Sequence, residues 1–198
     1  NPMLCLRDFL KNDRTLGVLD SELDDARFIE MANECDSLVY LDAGNNTSQK
    51  RFECNGVTRL DSAPIAIAES LLSSCAGSLS YTQGVYQPQV GVAIPNSRNH
   101  TLTEDYLAGG VSIVTKAEKA NRFNAVRGLF SDSGNTYQLN DFSPVTNTTY
   151  QTEDGEQLWL DMELPFTTNN VMAQRLAISP IYCRYIPRQF KVLAICGE

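Results

Sequence analysis

Residues 122–177 read RFNAVRGLFSDSGNTYQLNDFSPVTNTTYQTEDGEQLWLDMELPFTTNNVMAQRLA, and the last part of this stretch decides the fold class. Leu158, Leu160, Met162 and Leu164 alternate with Gln157, Trp159, Asp161 and Glu163. An apolar period of two describes a strand with one face buried and the other in solvent. Pro165 ends it, having no N–H to give to a ladder. Thr167 and Thr168 then stand where a hydroxyl can accept one of the unpaired N–H groups of a first helical turn. The helix so predicted carries Val171, Met172, Arg175, Leu176 and Ile178. Strand, short turn and helix follow almost without a loop.

Outward from this unit, 111–116 and 122–130 read as two strands forming a hairpin, and 132–151 as a long polar loop anchored by Tyr137, Phe142 and Pro144. Loops of that length are usually functional surfaces or partner contacts. Pro180 is expected to kink or stop the helix, and 189–196 to form a closing, largely apolar strand.

The first half reads as three short helices with a small sheet. Asn1 and Pro2 are a cap and a first-position proline, opening a helix through Leu10 with Met3, Leu6, Phe9 and Leu10 inward. A second helix begins at Ser21, and Phe28, Met31, Ala32 and Cys35 recur along one face of it. Asp20, Glu22, Asp24 and Asp25 lie at its positive end, where carboxylates are favoured. Residues 42–49 are a polar loop and 50–58 a strand packing Phe52, Cys54 and Val57. Ser62 and Pro64 open a third helix running through Cys75, with Gly77 as its left-handed stop. Residues 79–81 and 85–87 form a hairpin around Gln83 and Gly84, and Pro88 marks an edge strand. The polar stretch 93–101 divides a helix-rich α+β part, 1–95, from a part of antiparallel strands with one late helix, 96–198. These are two small domains or one intertwined domain. The fold class is α+β, with short helices and small mixed or antiparallel sheets.

Apolar residues at 42% and charged residues at 20% are ordinary globular values. A net charge of −8 opposes general binding to nucleic acid, which needs clustered Lys and Arg. No run reaches the roughly 18 apolar residues of a membrane span. The six cysteines contain no C-x-x-C pair and mostly fall at apolar positions, the pattern of buried free thiols. The chain begins without Met and starts and ends inside regular structure, as an excised piece of a longer polypeptide would.

Chemistry finds little purchase. A Ser-His-Asp or Cys-His arrangement would have to use the single histidine, His100, which lies in the polar boundary segment without strand-turn-helix context. No cysteine, histidine and carboxylate spacing suits zinc, and the glycines form no phosphate loop. Neither a catalytic residue nor a cofactor or metal is assigned. A two-carboxylate glycosidase is the sharpest alternative, since Asp161 and Glu163 point to one face of a strand about 7 Å apart. With Trp159 beside them, a sugar-binding platform is another.

Taken in order, RFNAVRG at 122–128, NDFSPV at 140–145, EDG at 153–155, DMELPFTT at 161–168 and AQRLA at 173–177 resemble the central tail-tip protein of long-tailed bacteriophages, prophages and gene transfer agents. This is the host-specificity or tip-attachment protein. NP at 1–2, LRDFL at 6–10, FI at 28–29, CD at 35–36, RFECNGV at 51–57 and the stretch 67–86 are similar too, so the resemblance spans nearly the whole chain. It implies a baseplate-hub-like fragment of a protein that is trimeric at full length. That protein closes the tail tube, supports host attachment and meets distal tail, tape-measure and tip-assembly proteins. Its place is the virion tail tip, after assembly in the bacterial cytoplasm. Assembly in that compartment implies that all six cysteines are reduced. The expected contact residues are Tyr137, Phe142, Trp159, Asp161 and Glu163, because aromatic residues are enriched in interfaces. A peptidoglycan or glycan hydrolase and a carbohydrate-binding module are the competing functions.

Overall fold

The computed structural model describes residues 1–42, 47–59, 61–92, 112–114, 123–184 and 189–191. The Asn1 side chain accepts from the Met3 N–H and opens α1, Pro2–Lys11, whose Met3, Leu6, Phe9 and Leu10 are buried as their spacing requires. The same side chain donates to the Ala32 carbonyl at 2.9 Å, fixing the start of α1 against α2, Asp25–Asp36. Phe28, Met31, Ala32 and Cys35 form the buried face of α2. That helix starts later than expected. Asp20–Glu22 is a separate 3-10 turn, and Asp24, not Ser21, accepts the first-turn N–H of Arg27.

A short hairpin follows, β1 (Leu38–Tyr40) against β2 (Ser48–Lys50). The strand expected over 50–58 is confined to β2, and 51–59 runs on without regular partners, burying Phe52 but leaving Val57 96% exposed. Helix α3, Pro64–Ser73, is preceded by Ala63 without a side-chain cap, so Ser62 does not serve as one. Its left-handed stop is Ala76 (φ 48), and Gly77 instead donates its N–H back to the Leu72 carbonyl at 2.9 Å. This is a Schellman ending, with Ala76 at the position glycine usually takes. A Cβ on Gly77 would press on the Gln89 carbonyl, so the glycine serves close approach. Strands β3 (Ser78–Thr82) and β4 (Val85–Gln89) form the expected hairpin, with Gln83 and Gly84 both at positive φ as a two-residue turn demands.

The late sheet is built on β6, Ala125–Asp132. One side of it carries β7 (Gln138–Asp141) and β8 (Val145–Thr146), both antiparallel, and the other carries β9 (Trp159–Leu164), which is parallel. With both edges of β6 occupied, the earlier strand β5 (Ser112–Val114) pairs with β10 (Gln189–Lys191) and not with β6, contrary to the hairpin expected there. The 132–151 segment is likewise no open loop. Asp132 accepts from Gly134 in a 3-10 turn at Ser133–Asn135, and left-handed Thr136 and Tyr137 reverse the chain into β7. After β8, Asn147 caps α4, Thr148–Asp154, which closes on left-handed Gly155. Of the three expected anchors only Phe142 is buried; Tyr137 and Pro144 are exposed.

Helix α5, Asn170–Arg184, is capped by Asn169, whose side-chain oxygen accepts from Val171 and Met172. Neither expected threonine caps it. Thr168 accepts from Asn55, while Thr167 is buried and its hydroxyl finds no partner among the described residues. The inward face is Met172, Ala173, Leu176, Ala177 and Ile181; Val171 and Ile178 point out. Pro180 lies inside the helix without ending it.

One cluster of buried side chains runs from Met3 to Ile181. Segment 49–56 is laced to 166–175 within it. Asn55 N–H donates to the Phe166 carbonyl at 2.9 Å, Arg175 donates to the Arg51 carbonyl at 2.6 Å, and Gly56 lies against the Phe166 ring with no room for a Cβ. No helix among the described residues is long and apolar enough to cross a membrane.

Two surface pairs make stability depend on acid. Hydrogen bonds from Arg7 to Asp25 and from Lys50 to Asp36, each at 2.8 Å, hold both carboxyls below the usual 3.8. A depressed folded-state pKa adds stability that is present above the unfolded value and lost as pH falls through the folded one. Melting temperature is therefore expected to fall as pH drops below about 4. Asp36→Asn should flatten that limb, as should about 0.5 M salt, which screens exposed pairs. A limb unchanged by either would contradict the assignment.

Candidate functional site

Strand β9 is positioned by its parallel pairing with β6, in register from Ala125 opposite Trp159 to Phe130 opposite Leu164. The Leu158 carbonyl accepts from Ala125 at 3.0 Å, which sets the parity of the ladder. Leu160, Met162 and Leu164 then turn their backbone groups to β6 and their side chains to the core. Trp159, Asp161 and Glu163 turn both N–H and C=O to the open edge and their side chains to solvent. Among the described residues no other strand pairs with β9. The alternation read from the sequence thus produces an exposed edge that carries two carboxylates, a charge pattern that discourages indiscriminate strand pairing.

The outer face of the sheet is continuous with this edge. Arg127, opposite Asp161 in the register, donates to its carboxylate at 2.7 Å. The same guanidinium sits over the Trp159 ring, 5.3 Å from its centroid, a cation–π contact. The hydrogen bond to the Asp161 carboxylate holds the Arg127 guanidinium above its ordinary pKa. Leu129 and Leu139 extend the face as apolar ground, Leu139 being 60% exposed. Trp159, Arg127 and Asp161 are therefore a preformed aromatic-cation-carboxylate group flanked by apolar side chains. Such groups are common anchors of protein interfaces.

No protein-family model and no curated protein matches the chain. The surface is read from its own geometry.

Of the five expected contact residues, Trp159, Asp161 and Glu163 share this face, and Tyr137 is exposed separately at the turn into β7. Phe142 does not belong with them. It is 1% exposed, and its N–H donates to the Gly128 carbonyl, so it anchors the sheet from inside. Arg127 was legible only as part of a motif, because its partners lie 32 and 34 residues on and become neighbours through the parallel pairing.

Sequence reasoning also passed over Asn124. It is fully buried, and its amide donates to Asp154 Oδ2 at 3.0 Å and to the Glu156 carbonyl at 2.9 Å. Its side-chain oxygen accepts from Leu158 N–H at 2.9 Å. One side chain thus ties the end of α4 and the entry of β9 to the start of β6 and holds the edge strand in place. The only local sign is a polar residue between Phe123 and the apolar start of a strand. Among the described residues no group of three or more His, Cys, Asp or Glu is placed to hold a metal; His100 lies outside them.

Proposed function

We propose that this chain is a structural segment of the tail tip, or baseplate hub, of a long-tailed phage or prophage. In this reading the outer face of β6 and β9 meets a neighbouring tail protein. The observation that carries the reading is the ordered set of tail-tip-like segments, two of which meet on one exposed sheet face: RFNAVRG supplies Arg127, and DMELPFTT begins at Asp161. Such a part works by assembly, supporting tube closure and host attachment. The full-length protein acts as a trimer beside distal tail, tape-measure and tip-assembly proteins. Its site is the virion tail tip, after assembly in the host cytoplasm.

The geometry favours this reading over its two rivals. A hydrolase needs Asp161 and Glu163 set across a cleft, whereas they stand exposed on one sheet face with Asp161 bound to Arg127. A sugar platform needs a free aromatic face, and Arg127 sits over that of Trp159.

The test is Glu163→Arg placed in the full-length protein of assembling particles. Charge reversal in a complementary interface costs enough to lower infectious yield by about tenfold or more, while the isolated variant keeps the wild-type circular dichroism. Full infectivity of Glu163→Arg and Trp159→Ala alike would overturn the docking assignment. So would sugar release from purified peptidoglycan that disappears on Glu163→Gln. The isolated chain is expected to be monomeric by light scattering, near 21.9 kDa, because a stable interface needs about 1,200–2,000 Å² drawn from several domains. A tight trimer at micromolar concentration would place the ring contacts within this segment.

A further inference from the structure

Cys5, Cys35, Cys54 and Cys75 are free thiols, and the first and third of them meet across the fold. Cys5 on α1 and Cys54 in the segment after β2 lie 49 residues apart in sequence, yet their Sγ atoms are 3.6 Å apart, at van der Waals contact. Cys5 is exposed and Cys54 half-buried. Cys35 and Cys75 are both fully buried, and the Cys75 thiol donates to the Leu72 carbonyl at 3.3 Å. Solvent therefore reaches Cys5 and neither Cys35 nor Cys75.

We infer that Cys5 and Cys54 are a covalent modification site that takes a small-molecule disulfide as co-reactant and closes into an intramolecular cross-link, while Cys35 and Cys75 stay reduced. The sulfurs need to approach by about 1.5 Å to reach bonding distance, which side-chain rotation on an exposed helix face supplies. Chemistry runs in two exchanges. Cys5 loses its proton and attacks the external disulfide, forming a mixed disulfide and releasing one small thiolate, which takes up a proton. Cys54 then loses its proton and attacks the Cys5 sulfur, forming the cross-link and releasing the second small thiol. Overall two protein thiols are oxidised to one disulfide and one external disulfide is reduced to two thiols.

The order follows from access. Burial and the neighbouring Cys5 push the Cys54 thiol up to about 11, so it serves as the slow resolving group and Cys5 as the entry point. The bond would join α1 to the strip that also carries Asn55 and Gly56 against Phe166. It would fix the first helix to the segment that packs against Phe166 once the protein leaves a reducing compartment. This inference is independent of the tail-tip reading.

The native chain incubated with oxidised glutathione, then blocked with alkylating agent and digested without reductant, tests it. The expected product is a peptide pair linking Cys5 to Cys54 that vanishes on reduction, with Cys35 and Cys75 alkylated only after denaturation. Cys54→Ser should stop at one glutathione adduct on Cys5, and Cys5→Ser should leave Cys54 largely unmodified. Wild-type protein that accumulates the glutathione adduct on Cys5, stays unmodified at both positions, or links either cysteine to Cys35, Cys75, Cys183 or Cys196, would overturn the proposal.

Discussion

Gly128→Ala is expected to lower stability by about 3 kcal/mol or more, a large share of the roughly 5–15 kcal/mol that holds a domain folded. Gly128 sits in the middle of β6 opposite Met162 of β9, and a Cβ built on it falls inside the van der Waals envelope of the Met162 carbonyl. The obstacle is backbone, so no rotamer change relieves it. Strand β9 must move outward, and the ladder that presents Trp159, Asp161 and Glu163 loosens with it. Gly155→Ala is the comparison. Gly155 has open space but a φ of 76, so its cost is conformational and about 1 kcal/mol. Urea denaturation of both variants should rank them in that order. A Gly128→Ala midpoint equal to wild type would mean that the strands are farther apart than described.

Asn124→Ala is the second substitution with a large expected effect, about 2–3 kcal/mol. It strips three hydrogen bonds at once and leaves the Leu158 N–H and Glu156 carbonyl to seek water. Asn124→Asp separates acceptor from donor roles. A carboxylate keeps the bond from Leu158 but cannot donate to Asp154 or to Glu156, and it adds a charge beside Asp154. Facing these groups, the new carboxyl has its folded-state pKa raised. Its penalty is then fully present above that value and is relieved as pH falls through it, because the protonated acid can donate. The stability gap between Asn124→Asp and wild type should therefore narrow toward acid pH, and that of Asn124→Ala should not. Parallel pH dependences for the two variants would remove Asn124 from its clip role.

These two residues explain what the sequence does and does not reveal. The period-two run in β9, the i, i+3, i+4 and i+7 face of α2 and the inward Met3, Leu6, Phe9 and Leu10 of α1 are local patterns dictated by burial, and they read correctly. So did the Gln83-Gly84 hairpin, because a two-residue turn imposes its own chemistry. The segment 132–151 was misread because β7 and β8 are short, and β7 is exposed along its length, so it carries no apolar period. Its order comes from pairing with β6 and from left-handed Thr136 and Tyr137, residues with no strong turn signature. Partner choice was equally hidden. Nothing local says that β5 joins β10 or that Arg127 meets Asp161, since both follow from long-range topology. At the start of α5 two threonines offered plausible caps, and Asn169 took the role because Thr167 is drawn into the core. Of the candidate surface, Trp159, Asp161 and Glu163 were legible from alternation, and Phe142 was misassigned because an aromatic residue in a polar stretch can equally be an anchor turned inward.

The proposed role builds this chain into a phage tail tip. Immunogold labelling tests it most directly, with antibodies raised against the chain and applied to intact particles induced from a culture that encodes it. Gold confined to the tail end farthest from the head is the result expected, with loss of label after absorption by the purified chain. Label absent from particles, or spread along the tail or over the head, would contradict the account.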